Sequence, residues 1–84
     1  MFKAKIEIKL KKGVVDPEGK NIVKALHLLN FNEVKNVKVS KLIEIIIDEN
    51  ERGEAMKKAD EMCRKLLANP VIHDYSIEIE DIHD

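Results

Sequence analysis

The chain has 84 residues, with 15 Lys and Arg against 16 Asp and Glu, a formal net charge of −1 with 37% of residues charged. That length holds one small domain, residues 1–84, with a thin core; a single cysteine excludes an intrachain disulfide; and the balanced charge argues against nucleic acid as partner. No apolar run is long enough to cross a membrane, and no secretory leader is visible, so a cytoplasmic location is expected.

Phe2 to Lys11 alternate in polarity. Phe2, Ala4, Ile6, Ile8 and Leu10 share one face, and Lys3, Lys5, Glu7, Lys9 and Lys11 share the other. A period of two predicts a half-buried strand. Lys12-Gly13 breaks it. Asp16-Pro17 then reads as a helix start, because Asp caps well and Pro suits the first helical position. Ile22, Val23, Leu26 and Leu29 continue at helical spacing, and Asn30 is a stop that tolerates the left-handed conformation. The helix is expected over about Pro17 to Leu29.

Val34 to Ser40 reads as a short strand, with a turn at Ser40-Lys41. Leu42 to Asp48 reads as the next strand. Both of its faces are partly apolar, which predicts a central position in the sheet. A second helix is expected from about Glu51 to Ala68, with Asn50 as a possible cap and Glu51 and Glu54 at the positive end of its dipole. Its apolar stripe is Ala55, Ala59, Met62, Cys63, Leu66 and Leu67. Asn69-Pro70 ends it. Tyr75, Ile77 and Ile79 alternate with Ser76, Glu78 and Glu80 in a last strand.

The order β-α-β-β-α-β predicts an α+β fold of the ferredoxin-like, split βαβ type. It is a four-stranded antiparallel sheet in the order 4-1-3-2 with two helices on one face. The other face is left open. There the row of Lys3 and Lys5 would lie between Glu78 and Glu80 on one side and Glu44 on the other. Such pairs are individually weak and explain the lysines without a ligand. Leu42 and Ile46 would stand on the same open face among charges, which suggests a surface meant to be covered. Lys3, Lys5, Leu42, Glu44 and Ile46 are therefore the interface candidates, and a homodimer or homotetramer is expected.

Little else points to chemistry. Cys63 lies on an apolar stripe and reads as a small core residue rather than a nucleophile. His27, His73 and His83 have no ligand spacing between them, so no metal site is expected. Ser40 and Ser76 sit in strand patterns without a nucleophile elbow. Gly13, Gly19 and Gly53 are too dispersed to form a phosphate loop. The outward sheet rows lack the aromatics on which RNA bases would stack. No catalytic residue and no bound cofactor is expected.

The sequence resembles the small, PurS-type subunit of phosphoribosylformylglycinamidine synthase. The residues that carry this are Lys3-Ala4-Lys5, Val15 to Lys20 leading into Ala25-Leu26-His27, Leu29-Asn30-Phe31 with Val34 and Val37, and Lys41 with Ile43-Glu44. The most specific stretch is Met62-Cys63 with Lys65 to Ile72, followed by Asp74-Tyr75 and Glu78-Ile79-Glu80. Asn30 stands where the family tends to have Gly, a substitution the left-handed conformation accepts.

The resemblance implies a subunit without its own active site, in an enzyme of purine biosynthesis. That enzyme converts formylglycinamide ribonucleotide, glutamine and ATP to formylglycinamidine ribonucleotide. A separate glutaminase subunit releases ammonia, and a separate large synthetase subunit holds ATP and Mg. The small subunit would self-associate, dock both partners and assist ammonia transfer. A ferredoxin-like regulatory module is the alternative reading; its small-molecule site would be the loop from Gly13 to Gly19 with the start of the first helix.

Overall fold

The computed structural model describes residues 1–83. The strand β1 spans Phe2–Leu10 and lies in the middle of a three-stranded antiparallel sheet. The helix α1 spans Pro17–Leu28, the strand β2 Lys41–Ile47, the helix α2 Arg52–Met62 and the strand β3 His73–Asp81. The sheet order is β2-β1-β3. Along β1, Phe2 faces Ile47 and Asp81, Ala4 faces Ile45 and Ile79, and Ile6 faces Ile43 and Ile77. The alternation of the sequence thus becomes one apolar and one charged face.

The core forms where α2 lies on β1 and β3. Phe2, Ala4, Ile6, Ile8 and Ile79 from the sheet meet Ala55, Ala59, Cys63 and Ala68 from the helical segment. Small residues on the helix let its backbone approach the sheet closely. Arg52 closes one end of this layer: its guanidinium lies 5.9 Å from the Phe2 ring centroid, donates to the Ile79 carbonyl and pairs with Asp81 at 3.1 Å. Tyr75 Oη donates to Asp60 Oδ1 at 2.6 Å and ties β3 to α2.

Both helix ends of α1 follow the local code. Asp16 caps it, accepting from the Gly19 N–H at 2.9 Å, and Asn30 takes φ 72° just past the end. The second helix departs from expectation twice. Glu51, not Asn50, occupies its cap position, and no side chain bonds there. Its last turn, Cys63–Leu67, is π-helical, with the Ala68 N–H bonded to the Cys63 carbonyl at 2.9 Å. The wider turn adds a residue to the helical repeat. Ala68 therefore follows Cys63 into the core, and Leu66, expected on the stripe, is 82% exposed.

Among the described residues the strand expected over Val34 to Ser40 is not formed: these residues pair with no strand. No turn separates them from β2, so the chain cannot fold back as a hairpin there. Their polar groups go to α1 instead. Asp16 Oδ2 accepts from the Val39 N–H at 2.9 Å, and the His27 ring contacts the Val34 carbonyl at 2.9 Å. The Val37 carbonyl presses on Gly19, the one buried residue of α1, where a Cβ would collide with it. As a result β2, expected in the centre of the sheet, is an edge strand.

Nor do two helices share a sheet face. α2 packs on β1 and β3, whereas α1 makes no comparable packing with any strand. The molecule extends over 51 × 31 × 14 Å with a radius of gyration of 16.7 Å. A compact chain of this length would have about 12 Å.

Candidate functional site

Three surfaces follow from this arrangement. The first is the outer face of the sheet, where β1 and its register place every interface candidate. Lys5 stands between Glu44 and Glu78, and Lys3 between Ile46 and Glu80. The ion pairs run diagonally, Lys3 to Glu44 at 3.5 Å and Lys5 to Glu80 at 2.9 Å. The hydrogen bond and charge of Glu80 raise the Lys5 ammonium above its ordinary value, and Lys5 in turn lowers Glu80. Leu42 and Ile46 rise from β2 on this face, 63% and 55% exposed. Five residues read from a period-two pattern therefore stand together on one surface.

The second surface is the β2 half of the inner face. Ile43 and Ile45 point to the same side as the core and pack at its margin but are only half-buried; neither helix packs extensively on β2. Ile22, Leu29 and Phe31, on and just beyond α1, are exposed at the same time. A sheet lacking a helix and a helix lacking a sheet occur in one chain.

The third is a cleft of about 470 Å³ between the end of β1, the loop into α1 and residues 36–40. It includes Gly13 to Asp16, so it falls at the loop where a small-molecule site was expected. Gly13 turns the chain there with φ +87°. Asp16 holds the opposite wall through Val39. The two backbone hydrogen bonds, from Gly19 first and Val39 second, hold its carboxyl below the usual carboxylate range.

The remaining candidates are structural in their surroundings. Cys63 is fully buried, and burial, with Asp60 second, pushes its thiol up, away from the reactive thiolate. His73 Nδ1 accepts from the Asn69 N–H at 2.9 Å in the turn before β3. Among the described residues no three His, Cys, Asp or Glu side chains come close enough to hold a metal ion, and no helix is long and apolar enough to cross a membrane. Sequence reading missed Arg52 on Phe2 and the Asp60–Tyr75 bond, both long-range contacts without a local pattern.

A small α+β module with exposed apolar surface on both α1 and the β2 half of its sheet has the character of a subunit that binds other chains. The family model for phosphoribosylformylglycinamidine (FGAM) synthase PurS matches residues 3–81, and the chain belongs to that family, the small subunits of a purine-biosynthetic enzyme. It is 52% identical over 82 residues to the PurS subunit of Methanocaldococcus jannaschii, covering 98% of this chain and 99% of that one. It is 42% identical over 83 residues to the Bacillus subtilis PurS subunit, covering 98% and 96%. The crystal structure of M. jannaschii PurS, described as one of the subunits of formylglycinamide ribonucleotide amidotransferase, superposes with a TM-score of 0.88 at 54% identity over 99% of this chain and 100% of that one. A PurLQS structure from Thermotoga maritima contains a chain with a TM-score of 0.83 at 26% identity, covering 94% and 96%.

Proposed function

We propose that this chain pairs with a second copy of itself and docks the glutaminase and synthetase subunits of FGAM synthase so that ammonia passes between them. The observation that carries this is the full-length likeness to PurS chains, one of them within a PurLQS structure, joined to surfaces left uncovered in the single chain. ATP and Mg belong on the synthetase subunit, and the assembly works in the cytoplasm. The chain supplies no reacting group. Ammonia is nucleophilic only when unprotonated, and water both dilutes and protonates it, so the two active sites must be held together behind protein walls.

A second copy is supported by complementarity. Each chain has one uncovered half-sheet, at Ile43 and Ile45, and one unpartnered helix, α1. A two-fold pair satisfies both at once. The segment Val34 to Ser40 and the free edge of β2 match in the same way: exchange between copies would complete two four-stranded sheets. The outer face, with Leu42, Ile46, Glu44, Lys3 and Lys5, then remains for a second pairing into a tetramer or for the other subunits.

Reconstitution tests the function. The chain is mixed with both partner subunits, substrate, ATP and glutamine. Glutamine-dependent product is expected only when the chain is present. Unchanged glutamine-dependent turnover without it would sink the reading. Light scattering tests the pairing, and a stable monomer at micromolar concentration would rule out the exchange.

A further inference from the structure

The cleft beside α1 is unlike the other two surfaces in charge. Lys9, Lys11, Lys12, Lys20 and Lys38 line it, against the single carboxylate of Asp16. Lys9 pairs with Glu7 at 2.9 Å. The other four lysines have no ion pair among the described residues. Asp16 stays ionised and offsets one of these charges, with its two oxygens fixed by the backbone N–H groups of Gly19 and Val39. A chain of net charge −1 thus brings four lysines without an ion pair among the described residues, from three separate segments, to the lining of one concavity. Like charges brought together repel, and an anion between them relieves the repulsion.

The shape narrows the kind of anion. The cleft volume of about 470 Å³ lies within the ~300–1,000 Å³ of small-molecule sites. Its walls include apolar residues, among them Val14 and Val37. No aromatic side chain lines it, so it lacks the stacking platform of a single-stranded nucleic acid site. Lysine meets phosphate as a compact point charge on a flexible stem, and several such charges suit several phosphoryl groups.

We propose that this cleft binds a small molecule carrying two or more linked phosphates, with the unpaired lysines on the phosphoryl oxygens and the apolar walls against its organic part. None of Lys3, Lys5, Leu42, Glu44 and Ile46 lines the cleft, so docking on the outer face is tested separately. Residues 36–40 line it and also belong to the segment offered to a second copy, so the probes are titrated into the native assembly.

Isothermal titration of the full chain in its native assembly tests this, with inorganic tripolyphosphate, pyrophosphate and ADP as probes. Saturable binding of one probe per chain is expected, weakening as salt rises from about 0.01 M to about 0.15 M. Lys12→Ala and Lys38→Ala should each weaken it about tenfold, the worth of one charge-assisted hydrogen bond. Lys24→Ala, on α1 but outside the cleft, should leave it unchanged. Amide shifts should cluster at Val14, Val37 and their neighbours. ADP binding tighter than pyrophosphate supports the organic contact, and equal affinities overturn that part. The site itself is overturned by absence of saturable binding at millimolar probe, or by equal losses in Lys24→Ala and Lys38→Ala. A poly-glutamate peptide binding the cleft where tripolyphosphate fails would replace the small molecule with an acidic protein segment.

Discussion

The two helices of this chain share a fold diagram but not a role. α2 buries Ala55 and Ala59 against β1 and β3, and continues through Cys63 and Ala68. α1 buries only Gly19, and against the backbone of an extended segment rather than the sheet. One half of the molecule is finished by its own sequence. The other is held by polar clamps, Asp16 to Val39 and His27 to Val34, and its apolar surface stays uncovered. An amphipathic helix is stabilised by what covers its apolar face, so within the single chain α2 has that cover and α1 lacks it.

Mutations in the two halves should therefore read out differently. The largest effect is expected at Ile6, fully buried between α2 and the sheet. Ile6→Ala should cost about 2–5 kcal/mol of folding stability in denaturant titration, with oligomer size unchanged until unfolding begins. Ile43→Glu should instead shift light scattering from dimer to monomer. If it lowers stability yet keeps the dimer, the half-sheet is not covered by a second copy. Leu42→Glu and Ile46→Glu, on the outer face, should leave the pair intact and break only a tetramer or partner docking.

Gly19→Ala isolates the clamp. Helix propensity alone would favour the alanine by about 1 kcal/mol. Because its Cβ would meet the Val37 carbonyl, the substitution should destabilise by about 1–3 kcal/mol instead. A stabilised variant would mean that the extended segment yields freely.

The smallest effect is expected from pH. Asp60 is held below its ordinary 3.8 by the Tyr75 hydroxyl first and Arg64 second, and Asp16 by backbone N–H groups. Groups with lowered values stabilise the fold above their unfolded range. The contribution should be complete at neutral pH and fade as pH falls below about 4, through the folded values. Thermal midpoints measured down that range should drop less for Asp60→Asn, which has already lost the linkage.

Local signals made much of this fold legible. Alternation in β1 and β2 gave the faces and placed Lys3, Lys5, Glu44, Leu42 and Ile46 on one surface. Asp16-Pro17 and Asn30 marked the ends of α1 because caps depend on a few adjacent residues. What failed depended on distant partners. Val34 to Ser40 has a strand's pattern, but whether it pairs depends on a turn that Ser40-Lys41 does not make. Leu66 was misplaced because a uniform period of 3.6 was carried through a turn that is wider. The lysine cleft was legible only as a location, Gly13 to Gly19. Its charge comes from Lys11, Lys12, Lys20 and Lys38, which come together in space and form no motif.

The wide turn at Cys63–Leu67 sets how the chain tolerates changes in length. Within β1, losing one residue would flip every following side chain to the opposite face. Within the wide turn, losing one residue would restore an ordinary helical turn, since the Cys63–Ala68 bond already spans one residue more than the α-helical repeat. The core residue after the deletion would still arrive in phase. A one-residue deletion in this turn should therefore leave the layer beneath it intact, where the same deletion in β1 would not.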